Sequence, residues 1–147
     1  MAAERIKLPP PDRAGGMPLA AALQGRRSVR AFAARALAPA ELGQLLWAAQ
    51  GEADARDGVR TAPSAGALYP LVLFASTANG LYRYVVEEHA LERASPRDLR
   101  GDLAAAALGQ QEIAEAPCVL VLAAVVTRTT RKYGERGERY VHMEAGH

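Results

Sequence analysis

The longest apolar run in this chain, residues 116–126 (APCVLVLAAVV), sets the first limit on what it can become. It is about half the roughly 20 residues that a membrane-spanning helix needs. It is apolar at successive positions and not at alternate ones, so it reads as a buried strand, covered on both faces. Such a strand needs neighbours, and the sequence supplies them upstream. Residues 71–76 and 81–86 read as strands joined at Asn79-Gly80, a strong two-residue hairpin signal. A turn near residues 87–89 then leads into a short strand at 90–93.

Helical patterns flank these strands. Pro18 suits the first turn of a helix that carries Leu19, Ala22 and Leu23 and ends near Gly25. Pro39 opens a second helix, with Leu42, Leu45, Leu46 and Ala49 at helical spacing and Gly51 at its end. Ser95-Pro96 opens a third that runs to about Leu108, and residues 136–147 read as a last one. Residues 51–63 read as a loop. Before all of these, Pro9, Pro10, Pro11, Gly15 and Gly16 mark residues 1–16 as an extended arm, which leaves 17–147 as one domain. The expected class is α+β, with a mixed or antiparallel sheet flanked by helices.

Composition excludes several functions. A formal charge of +2 is too small for a dedicated nucleic-acid binder. The single cysteine, Cys118, rules out an internal disulfide framework and reads as a small buried hydrophobe. His89, His142 and His147 lack metal-ligand spacing, so no metal is expected. The first eleven residues have no signal-peptide apolar region, and a cytoplasmic setting away from membranes is the default expectation.

Three segments carry chemistry. Arg26-Arg27-Ser28-Val29-Arg30 puts three guanidiniums and a hydroxyl within five residues, just past a helix. Guanidinium forks match phosphate oxygens two at a time. A solvated basic turn is the alternative. Pro63-Ser64-Ala65-Gly66-Ala67-Leu68-Tyr69-Pro70 brackets small residues between prolines, which suits backbone passing close to something flat. There Ser64 is expected to donate a hydrogen bond and Gly66 to remove a side chain. An ordinary loop entering a strand is the alternative. Arg131-Lys132-Tyr133-Gly134 holds one of only two lysines in the chain, beside a tyrosine. It reads either as a basic, solvated helix start or as a proton-transfer pair.

In this order and spacing, the segments resemble the nitroreductase superfamily, and within it the SagB-type branch. The resemblance rests on Arg26 to Phe32, on Leu45-Leu46-Trp47-Ala48-Ala49-Gln50-Gly51 and on Arg60 to Pro70. It also rests on Gly80-Leu81-Tyr82-Arg83-Tyr84, Ala116-Pro117, Lys132-Tyr133-Gly134, Arg136-Gly137, Arg139-Tyr140 and Glu144-Ala145-Gly146-His147. It covers nearly the whole chain from about Lys7.

That resemblance implies a nitroreductase-like fold forming an intertwined homodimer with FMN at the interface. Carried over, Arg26, Arg27 and Ser28 would hold phosphate and ribityl oxygens, and Arg30 would approach the N1/O2 edge. Pro63, Ser64, Ala65 and Gly66 would come from the partner copy, and Gln110 would hydrogen-bond the ring edge. A cation near that edge suits a flavin that becomes anionic on reduction. In SagB-type azoline oxidases, a pair like Lys132 and Tyr133 removes a proton from the heterocycle. The resemblance also implies that the family domain continues past Gly146-His147, so the chain is expected to be incomplete at its C-terminus. Three readings stay open: a peptide-azoline dehydrogenase with peptide-modifying partner enzymes, an NAD(P)H-dependent reductase of nitroaromatics or quinones, and a non-catalytic dimerisation module without flavin.

Overall fold

The computed structural model describes residues 4–54 and 57–147. The first three positions of the expected arm, and residues 55–56 of the expected loop, lie outside the described residues. The elements in chain order are β1 (Arg5–Lys7), α1 (Leu19–Gly25), α2 (Pro39–Gln50), β2 (Glu52–Asp54), β3 (Val59–Arg60), β4 (Leu71–Thr77), β5 (Gly80–Val85), β6 (Ala90–Ser95), α3 (Arg100–Ala106), α4 (Gln111–Glu115), β7 (Cys118–Ala124), α5 (Thr127–Tyr133) and α6 (Arg136–Gly146).

Five strands form one antiparallel sheet in the order β1-β6-β5-β4-β7, and β2 and β3 form a separate small ribbon. The hairpin of β4 and β5 forms as the sequence predicts, with its turn one residue earlier. Thr77 pairs with Gly80, so Ala78-Asn79 make the turn. Gly80 instead opens β5 at φ +133°, where a side chain would run into the Ser95 carbonyl. Glycine is needed there for close approach as well as for its backbone angle.

Helix α2 covers one face of the sheet. Its Leu42 and Leu46 pack with Leu73 and Ala75 of β4, Tyr82 and Tyr84 of β5, Leu91 of β6 and Leu8. Leu45, expected on the same apolar face, points outward and is 48% exposed. Gly51 ends α2 in an extended conformation, φ −71° and ψ 165°. Its role is to leave room for the Trp47 indole, not to adopt a left-handed cap.

The proline-rich arm is part of the sheet and not a loose tail, because Arg5–Lys7 pair with β6. His89 ties it further. Pro9 O can only accept, so His89 Nε2 donates to it at 2.8 Å, and Nδ1 accepts from the Tyr84 hydroxyl at 2.8 Å. Burial first, then the Glu52 carboxylate, push the Tyr84 hydroxyl up to about 12, so it remains a donor.

Two further expectations need correction. The apolar run expected as a buried strand is the edge strand β7, and Leu122 is 46% exposed. Its composition asks for cover on both faces, but its place at the edge gives only part of it. The third helix begins at Arg100, since Ser95 completes β6 and the next residues turn. Cys118 is partly buried in β7, and desolvation pushes its thiol up to about 11. No helix among the described residues is long and apolar enough to cross a membrane.

Candidate active site

The segment from Pro63 to Pro70 forms a tight turn with three left-handed residues, Gly66 at φ +65°, Ala67 at +54° and Tyr69 at +43°. Side chains disfavour that region, so neighbours must hold Ala67 and Tyr69 there. The Ala67 N–H donates to the Ser64 carbonyl at 3.0 Å, and the Tyr69 N–H donates to Ser64 Oγ at 2.9 Å. Arg128 donates to the Tyr69 carbonyl at 3.0 Å, and the Arg60 guanidinium lies 4.4 Å from the Tyr69 ring centre.

Helix α5 delivers the third segment to this turn. Lys132 and Tyr133 end the helix before Gly134, whose φ is +59°. A Cβ built on Gly66 would lie 2.6 Å from Tyr133 Oη and 2.8 Å from Lys132 Nζ. A side chain there would have to push both tips aside, and the φ of +65° would strain it in any case. Tyr133 is braced edge-on against Tyr140 of α6 at 5.2 Å, and Lys132 Nζ lies 5.5 Å from the Tyr133 ring centre. Helix α6 packs tightly on α5 because Gly137 has no side chain. A Cβ there would sit 2.7 Å from Thr130 Cα.

Beside the turn lies a cavity of about 280 Å³ lined by Pro63, Ser64, Ala65, Tyr140, Met143, Glu144 and His147. Ser64 Oγ donates to Glu144 Oε2 at 2.6 Å. Glu144 is 5% exposed, and its Oε1 is enclosed with no hydrogen-bond partner among the described residues. The sequence reading gave Glu144 no role. The signal was there: Gly137, Val141 and Glu144 form the buried stripe of α6, and a carboxylate in such a stripe is uncommon.

The arginine segment lies apart from this cavity within the single chain. Arg26, Arg27, Ser28 and Arg30 are all exposed. Arg27 donates to the carbonyls of Gln24 at 2.9 Å and of Arg26 at 2.8 Å. Arg30 pairs with Glu112 of α4 at 3.1 Å, with its side chain 70% exposed, a pairing of little strength. That contact brings the segment to the start of α4, where Gln110 is exposed and donates to Ala107 O at 3.0 Å. None of these five residues lines the cavity beside Ser64.

The chain's residues suit a flat ligand bearing a phosphate. The Arg26 side chain makes no hydrogen bond or ion pair among the described residues, so its donors are open to an anion. The missing side chain at Gly66 makes room for Lys132 Nζ and Tyr133 Oη against the turn. One cluster offers the cations and the other offers the close-approach turn.

Comparisons with known proteins agree on the fold. The nitroreductase family model matches residues 23–147. A Methanocaldococcus jannaschii protein carrying a nitroreductase name is 47% identical over 128 residues, 83% of this chain and 64% of that one. A crystal structure from Ralstonia eutropha JMP134, also named as a nitroreductase, superposes with a TM-score of 0.85 at 36% identity, covering 97% of this chain and 66% of that one. The E. coli microcin synthetase McbBCD with truncated pro-MccB17 bound is similar in fold, with a TM-score of 0.66 at 21% identity over 92% of this chain and 65% of that one. The chain thus spans less than two thirds of the length of these relatives.

Proposed function

This chain belongs to the nitroreductase family, and from that premise we propose that it acts as an FMN-dependent oxidoreductase of the SagB type, assembled as a homodimer. The observation that carries the reading is the convergence of Lys132 Nζ and Tyr133 Oη on Gly66. A proton-transfer pair there stands against the turn expected to border the flavin.

Arg26, Arg27 and Ser28 would grip phosphate and ribityl oxygens, with Arg30 leaving its weak contact with Glu112 for the anionic edge of the ring. Gln110, at the start of α4, would add a donor beside Arg30. Pro63, Ser64, Ala65 and Gly66 of a second copy would complete the pocket. That Arg26, Arg27, Ser28 and Arg30 do not line the cavity beside Ser64 of their own chain supports that arrangement.

Converting a thiazoline or oxazoline to its azole removes two electrons and two hydrogens from the ring, and bound FMN would accept the electron pair with one hydrogen at N5. The second hydrogen leaves as a proton, which the Lys132–Tyr133 pair would accept. Reduction of nitroaromatics or quinones with NAD(P)H would use the same pocket without that pair.

The test begins with the visible spectrum of the purified protein. Flavin absorbance is expected, and Lys132→Ala should keep it while azole formation from a thiazoline peptide falls by roughly 100-fold or more. Azole formation that survives Lys132→Ala overturns the assignment. Undiminished nitroaromatic reduction with no azoline activity would identify the reductase instead. A colourless dimer that takes up no FMN would identify a dimerisation module.

A further inference from the structure

The Ser64 hydroxyl donates its one proton to Glu144 Oε2. A hydroxyl has one donor and two acceptor positions. The Tyr69 N–H takes one acceptor position, so only an acceptor remains free at Ser64. The geometry points to Glu144 as a positioning residue. By accepting the Ser64 O–H hydrogen bond, its carboxyl oxygen leaves the hydroxyl only acceptor capacity and holds the left-handed turn at Gly66, Ala67 and Tyr69 against Lys132 and Tyr133.

The chain of contacts is continuous. Glu144 Oε2 accepts from Ser64, Ser64 Oγ accepts from Tyr69, and the backbone between them is the strained stretch. The hydrogen bond from Ser64 to Glu144 is short, 2.6 Å. Helix α6 contributes twice, because it carries Glu144 and the Tyr140 that braces Tyr133. This inference rests on the reading of Lys132 and Tyr133 as the reacting pair for any effect on turnover. The geometry it asserts can be tested without turnover.

The chain's two lysines make that test possible. Both lysines are exposed, but the Lys132 Nζ lies against the turn at Gly66, whereas Lys7 stands in β1 and serves as an internal reference. Brief acetylation of the full chain, mapped by mass spectrometry, yields the Lys132:Lys7 labelling ratio. If the dyad holds the turn against the Lys132 amine, Ser64→Ala and Glu144→Ala should each raise that ratio by about twofold or more, by withdrawing the turn from one side of the amine. The double variant should raise it no further than either single change, since both break one interaction. Glu144→Gln keeps an acceptor for Ser64 and should restore the wild-type ratio. A ratio unmoved in Ser64→Ala, additive effects in the double variant, or a Glu144→Gln protein that labels like Glu144→Ala would each overturn the proposal. If Glu144→Ala fails to fold, Ser64→Ala and Glu144→Gln still decide it. Loss of azoline activity with an unchanged ratio would count against the dyad and leave the SagB-type reading standing.

Discussion

Gly66 carries two constraints at one position. Its φ of +65° disfavours any side chain, and a Cβ would sit within 2.6 Å of Tyr133 Oη and 2.8 Å of Lys132 Nζ. Gly66→Ala is therefore expected to destabilise the fold by about 1–3 kcal/mol. Under the proposed SagB-type function it should also cut azoline oxidation by roughly tenfold or more, by displacing Lys132 and Tyr133. Thermal unfolding and initial rates on the same preparation check this, and a full rate in Gly66→Ala would show that the close approach is dispensable. The sequence marked Gly66 as a close-approach residue from its setting between two prolines. It did not say what approaches, because Lys132 and Tyr133 come from a helix far along the chain. The hydroxyl of Ser64 was likewise legible as a hydrogen-bonding group, but its direction depends on Glu144 and so on the docking of α6.

At the scale of elements, local charge supports the start of α2. Glu41 accepts from the Ala38 N–H at 2.7 Å and from both terminal nitrogens of Arg35 at 2.7 Å. The Arg35 hydrogen bonds first, and the backbone donor second, lower its carboxyl from 4.5 to about 2. A folded value below the unfolded one means a contribution fully present above about pH 4.5 that is lost as pH falls towards 2. Asp98 behaves the same way between 3.8 and about 2, chiefly through its hydrogen bonds from Arg100. Glu41→Gln should thus lower the melting temperature at pH 7 by about 1–3 °C. That difference should shrink below pH 4 and vanish near pH 2; a constant difference across this range would refute the linkage. Helix α2 and the β4–β5 hairpin were readable because periodicity and turn residues act locally. Strands β1, β2 and β3 were not, being two or three residues each and held only by their partners. Helix α5 was missed because Thr127–Tyr133 (TRTTRKY) has no apolar stripe, and its place is fixed by Gly137 of α6.

At the scale of the whole molecule, the apolar residues around α1 are left without cover among the described residues. Helix α1 has no buried residue, and Leu19 is 75% and Leu23 67% exposed, with Met17, Val29 and Phe32 exposed beside them. Apolar side chains gathered this way mark an interaction surface, and the proposed homodimer would bury it. Leu19→Glu with Leu23→Glu is expected to convert a dimer into monomer in sedimentation velocity at micromolar concentration and to lower FMN affinity in parallel. A variant as dimeric as the parent would separate α1 from the interface.

The sequence by itself determined the α+β class, the hairpin, the main α2 helix and the grouping of functional residues into three segments, since these depend on the spacing of neighbours along the chain. The tertiary structure decided which segments meet. It joined the Lys132–Tyr133 pair to the Gly66 turn through α5 and α6, and it left the Arg26–Arg30 segment with the exposed α1. It also turned the most strand-like stretch outward as an edge. Those outcomes depend on contacts between distant residues, whose cost and reward are settled only when the helices dock on the sheet.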